Sequence, residues 1–316
     1  MYDTVTLRLT IADVDGVNLI ETVAPRLHDC KHVTKSGAVR IEGKTNGMIV
    51  TARRDVLRVS GSLCKYYHGD NIKQMTRNDA RAAIDQLGER LGISIRAAEV
   101  ERVDVSVNVT APQPLKLYNA VMGEMAGAYK DIFGKGHGLT YKPKNSRHKW
   151  ALLLYDKARE AKRDIYALSL VGLNVLRCEL QLQNRQTIKT LLGVSELRAS
   201  DLWSGKVYNK LKDIVMNKIE AIESNQRVTI AGDVSSTKDM SLKTLSVYCH
   251  VEGLDNVVAE FEWGLCKGLP PTAAQRKAIT RFKAQCKEAV ERYTRKTDSP
   301  ADDLKARLGS AIRAAK

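Results

Sequence analysis

The sequence is poor in aromatic residues, which make up 5% of its 316 positions and include only three Phe. That weakens a role as a general single-strand binder, because such proteins rest successive bases on aromatic platforms. No apolar run approaches the roughly 18 residues needed to cross a membrane. The first thirty residues carry Asp3, Asp13 and Asp15 without an uninterrupted apolar stretch, so no secretory signal is expected. The six cysteines are scattered and form no CxxC pair, which argues for a reducing cytoplasm and against a disulfide scaffold or a structural zinc site. Acidic charge is also in deficit, with 51 Lys and Arg against 36 Asp and Glu, a net +15.

The positive excess is concentrated. Segment 135–163 carries +7 and segment 267–316 carries +8, which leaves the rest of the chain neutral. Two basic segments on a neutral body point to a polyanionic partner, and with no membrane anchor in sight nucleic acid is the leading candidate. At 43% apolar residues the chain can build a substantial core.

Along the chain, apolar–polar alternation predicts strands at 4–10, 38–41, 47–51, 56–60, 101–109, 149–157 and 176–183. A capping sequence at Thr76–Asp79 opens a helix to about Leu91. A helix is expected over 114–129 and a Gly- and Lys-rich loop over 134–146. Beyond Gln186 the pattern is mostly helical, at 187–192, 201–222, 242–267 and 272–293, with 231–240 as a polar linker. The expected fold is α+β, a mainly antiparallel sheet with helices on one face, followed by a helical C-terminal region. Residues 1–225 form the expected catalytic domain and 226–316 the basic helical region.

Three strands carry chemistry on the face opposite their apolar one. In EVERVDVSVNV the valines point one way and Arg102, Asp104, Ser106 and Asn108 the other. In WALLLYDK, Leu153, Tyr155 and Lys157 share a face; in LRCELQLQ, Arg177, Glu179 and Gln181 do. Were these strands neighbours, Asp104 and Glu179 would approach within about 5–10 Å on a wet sheet face. Two such carboxylates repel unless a cation such as Mg²⁺ or Mn²⁺ lies between them. Tyr155 and Lys157, about 7 Å apart along a strand, can both reach one phosphodiester. Asn108 lies about 13 Å along the strand from Asp104, too far to share an ion without a bulge.

The ordered elements SGSLCKYYHGDN (60–71), ERVDVSVNV (101–109), SRHKWALLLYDKARE (146–160) and LRCELQLQ (176–183) together resemble the gene II/X-type replication initiators of filamentous phages. More distantly they resemble plasmid Rep-trans initiators. The resemblance covers roughly residues 1–220 and implies an HUH-endonuclease-like, Rep-trans-like fold. It implies a site-specific nickase and strand-joining enzyme that cuts supercoiled origin DNA through a tyrosine and so starts rolling-circle replication in the bacterial cytoplasm. Implied partners are double-stranded origin DNA, its nicked strand, and host helicase and polymerase. The phage family places the nucleophile at Tyr155. The plasmid family places it at a position resembling Tyr141, which lies among Lys142 and Lys144. Asp104 and Glu179 match the acidic positions of both families, and His68, Gly69 and Asn71 match a turn beside the site. There is no His-x-His pair, so a metal site would rest on the two carboxylates and His68. Lys142, Lys144, Arg147 and Lys149 are the expected DNA contacts. The competing expectations are a non-catalytic, repressor-like DNA-binding protein and a metal-independent tyrosine recombinase.

Overall fold

The computed structural model describes all residues except 15, 36–37, 146, 162–172, 225–227, 231–235, 253, 297–299 and 316. The chain divides into two compact units, one of residues 1–224 with 301–316 and one of residues 225–300. The first unit holds a ten-stranded sheet in which every pairing is antiparallel. Its strands are β1 (Tyr2–Thr10), β2 (His28–Lys35), β3 (Ala38–Thr45), β4 (Met48–Ala52), β5 (Val56–Ser62), β6 (Glu99–Thr110), β8 (Ala128–Phe133), β9 (Gly138–Pro143), β10 (Trp150–Asp156) and β11 (Val175–Leu182). A further short strand, β7 (Met122–Met125), pairs with β12 (Ile222–Ser224) outside it. The spatial order is β2-β3-β4-β5-β1-β6-β11-β10-β9-β8. Asn46 and Gly47 both have positive φ in the β3–β4 turn, the two-residue hairpin geometry that matches strand twist. Short helices α1 (Leu19–Val23), α2 (Leu63–His68), α5 (Lys157–Glu160) and α6 (Arg185–Leu192) follow strands β1, β5, β10 and β11.

β6 lies at the centre, between β1 and β11. Val103, Val105 and Val107 face the principal core. That core also takes the apolar stripes of α3 (Arg77–Leu91), α7 (Gly205–Glu220) and α11 (Pro300–Ala314). Tyr2, paired with Val105, reaches across it, donates to the Leu202 carbonyl at 2.5 Å and meets Tyr208 of α7 edge-on. α3 starts as expected, with Thr76 and Asp79 capping reciprocally.

Two expectations between β6 and β10 are corrected. The helix expected over 114–129 is cut to α4 (Leu115–Val121), followed by β7 and β8. Gly123 and the positive-φ Gly127 interrupt it, and the chain turns back to pair with β9. The expected loop over 134–146 contains strand β9, whose Leu139 and Tyr141 enter the core. Strand pairing outweighed the Gly and Lys composition there.

The second unit contains α8 (Thr237–Glu252), α9 (Leu254–Cys266) and α10 (Ala273–Tyr293), with the pair β13 (Val228–Ile230) and β14 (Thr294–Lys296). The expected single helix over 242–267 is thus two. Its core joins Val257, Val258, Cys249 and Cys286, beside a Phe261–Phe282 stack at 4.0 Å. The expected linker at 231–240 lies partly outside the described residues, and α8 begins within it. The final helix, α11, counts with the first unit, where Leu304, Leu308 and Ile312 are fully buried at helical spacing. All six cysteines are free. Among the described residues no helix is long and apolar enough to cross a membrane.

Candidate active site

The pairing of β6, β11 and β10 decides which polar side chains meet. Asp104 stands opposite Gln181, Ser106 opposite Glu179, and Asn108 opposite Arg177. Tyr155 stands opposite Arg177 on one side and Gly138 on the other. Asp104, Glu179 and Tyr155 therefore share one face on three adjacent strands. The Tyr155 hydroxyl donates to Glu179 Oε2 at 2.9 Å, and Gln181 Nε2 donates to Glu179 Oε1 at 2.8 Å. Burial raises the Tyr155 phenol; Arg177 opposes the shift and the Glu179 charge adds to it. The resting hydroxyl is neutral and already aimed at a carboxylate.

This face is not the wet surface the alternation suggested. Asp104 is 1% exposed, Arg177 2% and Glu179 7%. The segment after α2 covers one end of it, because Asn108 Nδ2 donates to the Ile72 carbonyl at 2.9 Å. Burial pushes the Asp104 carboxyl up to about 7; the bidentate Arg102 pair, at 2.6 and 2.9 Å, pulls against this, and the Glu179 charge adds to it.

Arg177 organises the covered end. Its Nη1 donates to Asp3 Oδ2 at 2.8 Å, its Nε to Asn108 Oδ1 at 2.8 Å, and its Nη2 to the Asn71 carbonyl. Ser62 Oγ donates to the other Asp3 oxygen at 2.6 Å. Lys157, expected to reach a phosphodiester, is fully buried at the start of α5. Its Nζ donates to Asn71 Oδ1 at 2.8 Å and to Glu160. It supports the segment that roofs the site and presents no charge to solvent. Asn71 sits in this network. Gly69, at φ 83°, closes α2 in the left-handed conformation. His68 does not join the carboxylates; its Nε2 lies 3.5 Å from Asp79 of α3.

Tyr141, the alternative nucleophile, stands apart from this cluster. It pairs with Leu152, three residues before Tyr155, so strand alternation puts it on the opposite face of the sheet from Tyr155. It is wholly buried, its hydroxyl donates to the Gly123 carbonyl at 2.8 Å, and burial raises its phenol. Lys142, Lys144, Arg147 and Lys149 are all exposed. Lys144 Nζ lies 5.6 Å from the Tyr129 ring centre, and by strand alternation Lys142 faces the Tyr155 side.

Tyr155 opens on a pocket of about 430 Å³ lined also by Lys65, Phe133, His137 and Arg159. Arg159 Nη1 lies 3.0 Å from His137 Nε2, and His137 Nδ1 lies 3.8 Å from Asp156. The sequence puts Arg177 on the polar face of its strand without giving it a role, and marks none of Asp3, Phe133 and His137 as a site residue. The signal for Arg177 was present, a charged residue at period two with Glu179 and Gln181, but only the pairing with Asn108 and the contact with Asp3 give it a role.

A catalytic divalent cation would need hard oxygen donors. Among the described residues no three Asp, Glu, His or Cys side chains gather as a metal cluster. Asp104 and Glu179 do supply two carboxylates on adjacent strands, close enough for the Glu179 charge to raise the Asp104 carboxyl. Mg²⁺ commonly binds through one or two carboxylates together with phosphate oxygens and water. Asp104 and Glu179 are the donors such an ion would use, and both are engaged here, Asp104 by Arg102 and Glu179 by Tyr155 and Gln181; His68 lies against Asp79 and does not join them.

No curated protein matches the chain. The family model for the N-terminal part of the replication-associated gene II protein matches residues 1–206, a span that includes β6, β10, β11 and every residue of the Tyr155 site. The chain belongs to that family, and is a phage replication-associated protein of the gene II type.

Proposed function

We propose that the protein nicks one strand of supercoiled origin DNA and later rejoins it, starting rolling-circle replication. The observation that carries this reading is the Tyr155 hydroxyl held at 2.9 Å on Glu179 at the mouth of a pocket lined by both basic and acidic side chains. In the proposed step Tyr155 Oη forms a bond to phosphorus while the bond to the 3′-oxygen breaks. Glu179 takes the phenolic proton, and the departing 3′-oxygen takes a proton from water to become a 3′-OH that primes synthesis. The 5′-phosphate stays on Tyr155, so the bond energy is conserved and the reverse step joins the strand. A divalent cation held by Asp104 and Glu179 would neutralise charge developing on the phosphate. Asp3, Asn71 and Lys157 act through Arg177 and the roofing segment to hold the strand ends in place. Host helicase and polymerase, acting in the bacterial cytoplasm, would extend the exposed 3′ end.

The test is incubation with supercoiled phage DNA and Mg²⁺, followed by mass spectrometry for a DNA-tyrosine adduct. A non-catalytic repressor-like protein leaves no adduct. A tyrosine recombinase forms one equally well in EDTA, whereas the proposed enzyme loses nicking there. Full activity in EDTA removes the cation from the mechanism.

The exposed loop has a separate readout. Replacing Lys142, Lys144, Arg147 and Lys149 together with Gln should weaken duplex binding and flatten the slope of log affinity against log salt by up to about 3.6, or ~0.9 per phosphate contact. An unchanged slope would mean that these side chains do not touch phosphate.

A further inference from the structure

The chain has three Phe, and two of them, Phe261 and Phe282, stack on each other in the second unit. The third, Phe133, is 39% exposed and lines the pocket beside Tyr155. Its position is built. Phe133 pairs with Gly138 across β8 and β9, and Gly138 pairs with Tyr155 across β9 and β10. The three stand in one row across the sheet, so Phe133 and Tyr155 are about 10 Å apart at the backbone. A Cβ on Gly138 would fall 2.2 Å from the Phe133 ring. Gly138 does not have positive φ, so the turn chemistry of glycine is not what the position needs. It needs space, and the ring takes that space. The side chain is thereby laid over the sheet beside Tyr155 at the cost of an exposed aromatic surface.

The rest of the lining is mixed in charge: Lys65, His137 and Arg159 stand with Asp156 and Glu160, and both carboxylates are engaged, Asp156 by the Arg159 backbone N–H and beside His137, Glu160 by Lys157. Arg159 is exposed and has no carboxylate partner among the described residues; its guanidinium meets His137 at 3.0 Å. Lys65 enters from α2. At about 430 Å³ the cavity falls within the roughly 300–1,000 Å³ of pockets that take small molecules. With both lining carboxylates already engaged, an exposed aromatic ring and the Arg159 guanidinium in one pocket match a base joined to a phosphate.

We propose that this pocket is a subsite for one unpaired nucleotide of the strand that Tyr155 cuts, with the base on Phe133 and a phosphate on Arg159. The assignment rests on the nicking function proposed above and adds to it a reason for the strand to be opened before it is cut. A paired base cannot reach Phe133, so the pocket selects a strand that is already unwound, as negative supercoiling provides.

The test uses the full chain and reads binding without cleavage. A fluorescein-labelled short single-stranded oligonucleotide is titrated against wild type, Phe133→Leu, Phe133→Trp and Arg159→Gln, and a duplex of the same length serves as control. Phe133→Leu should weaken single-strand binding about tenfold, the loss expected for one base–aromatic stack, while duplex binding stays within about twofold. Phe133→Trp should restore it, which a purely packing role for the ring would not give. Arg159→Gln should weaken it by a similar factor and lower the salt slope by about 0.7. Photo-crosslinking with 5-iododeoxyuridine should label the peptide containing Phe133. Wild-type affinity in Phe133→Leu, or crosslinks confined to other peptides, would overturn the subsite. Absence of a DNA adduct in any protein, with these binding results intact, would count against nicking and leave the subsite standing.

Discussion

Tyr155→Phe should abolish covalent attachment to DNA and lower nicking of supercoiled substrate by at least about 10³-fold, since the ring is kept and only the nucleophilic oxygen is removed. DNA binding should stay within a few-fold, because the exposed basic loop and the pocket cations are untouched. Tyr141→Phe should nick at close to the wild-type rate. Its missing hydroxyl removes a buried hydrogen bond to the Gly123 carbonyl, so its cost is stability, about 1 kcal/mol. The contrast follows from the register: Gly138 is the β9 residue beside Tyr155, and Tyr141, an odd three residues on, falls on the core face. Gel analysis of nicked circles, with mass spectrometry of the adduct, decides it. Persistent nicking by Tyr155→Phe together with its loss in Tyr141→Phe would reverse the assignment.

Arg177→Met should lower stability by about 3–5 kcal/mol, the range for breaking a buried ion pair from one side. The guanidinium is 2% exposed and joins Asp3, Asn108 and the Asn71 carbonyl, so its removal strands the Asp3 carboxylate away from water. The urea midpoint of the first unit's transition should fall without a large change in slope. Arg177→Met combined with Asp3→Asn should recover part of the loss, because the second change removes the orphaned charge. Equal stability for wild type and Arg177→Met would show that water reaches the network and that the roof over the site is open. The same variant should nick poorly even where it is folded, since Arg177 stands opposite Tyr155 and fixes the segment carrying Asn71.

Much of the site was legible as types of residue. The alternation in β6 separates Asp104 from its valines, and the alternation in β11 separates Glu179 from Leu180 and Leu182. Both readings need only the two-residue repeat of a strand. The Thr76–Asp79 capping box is equally local, and so is the clustering of basic charge at Lys142, Lys144, Arg147 and Lys149. Lys157 shows where local reading stops. Its alternation with Tyr155 is real, yet α5 starts at that residue and the Asn71 segment closes over it. The ammonium is spent on the roof.

What the chain by itself determined was strand faces, the capped helix and the sign of the charge, because these arise from neighbours a few residues apart. The tertiary structure alone decided that β6, β11 and β10 lie side by side, that their polar face is covered, that Tyr141 points away from Tyr155, and that the last helix packs with the first unit. Each of these depends on pairing between segments tens to hundreds of residues apart. Such contacts are chosen by how the whole core closes, and local pattern carries no record of them.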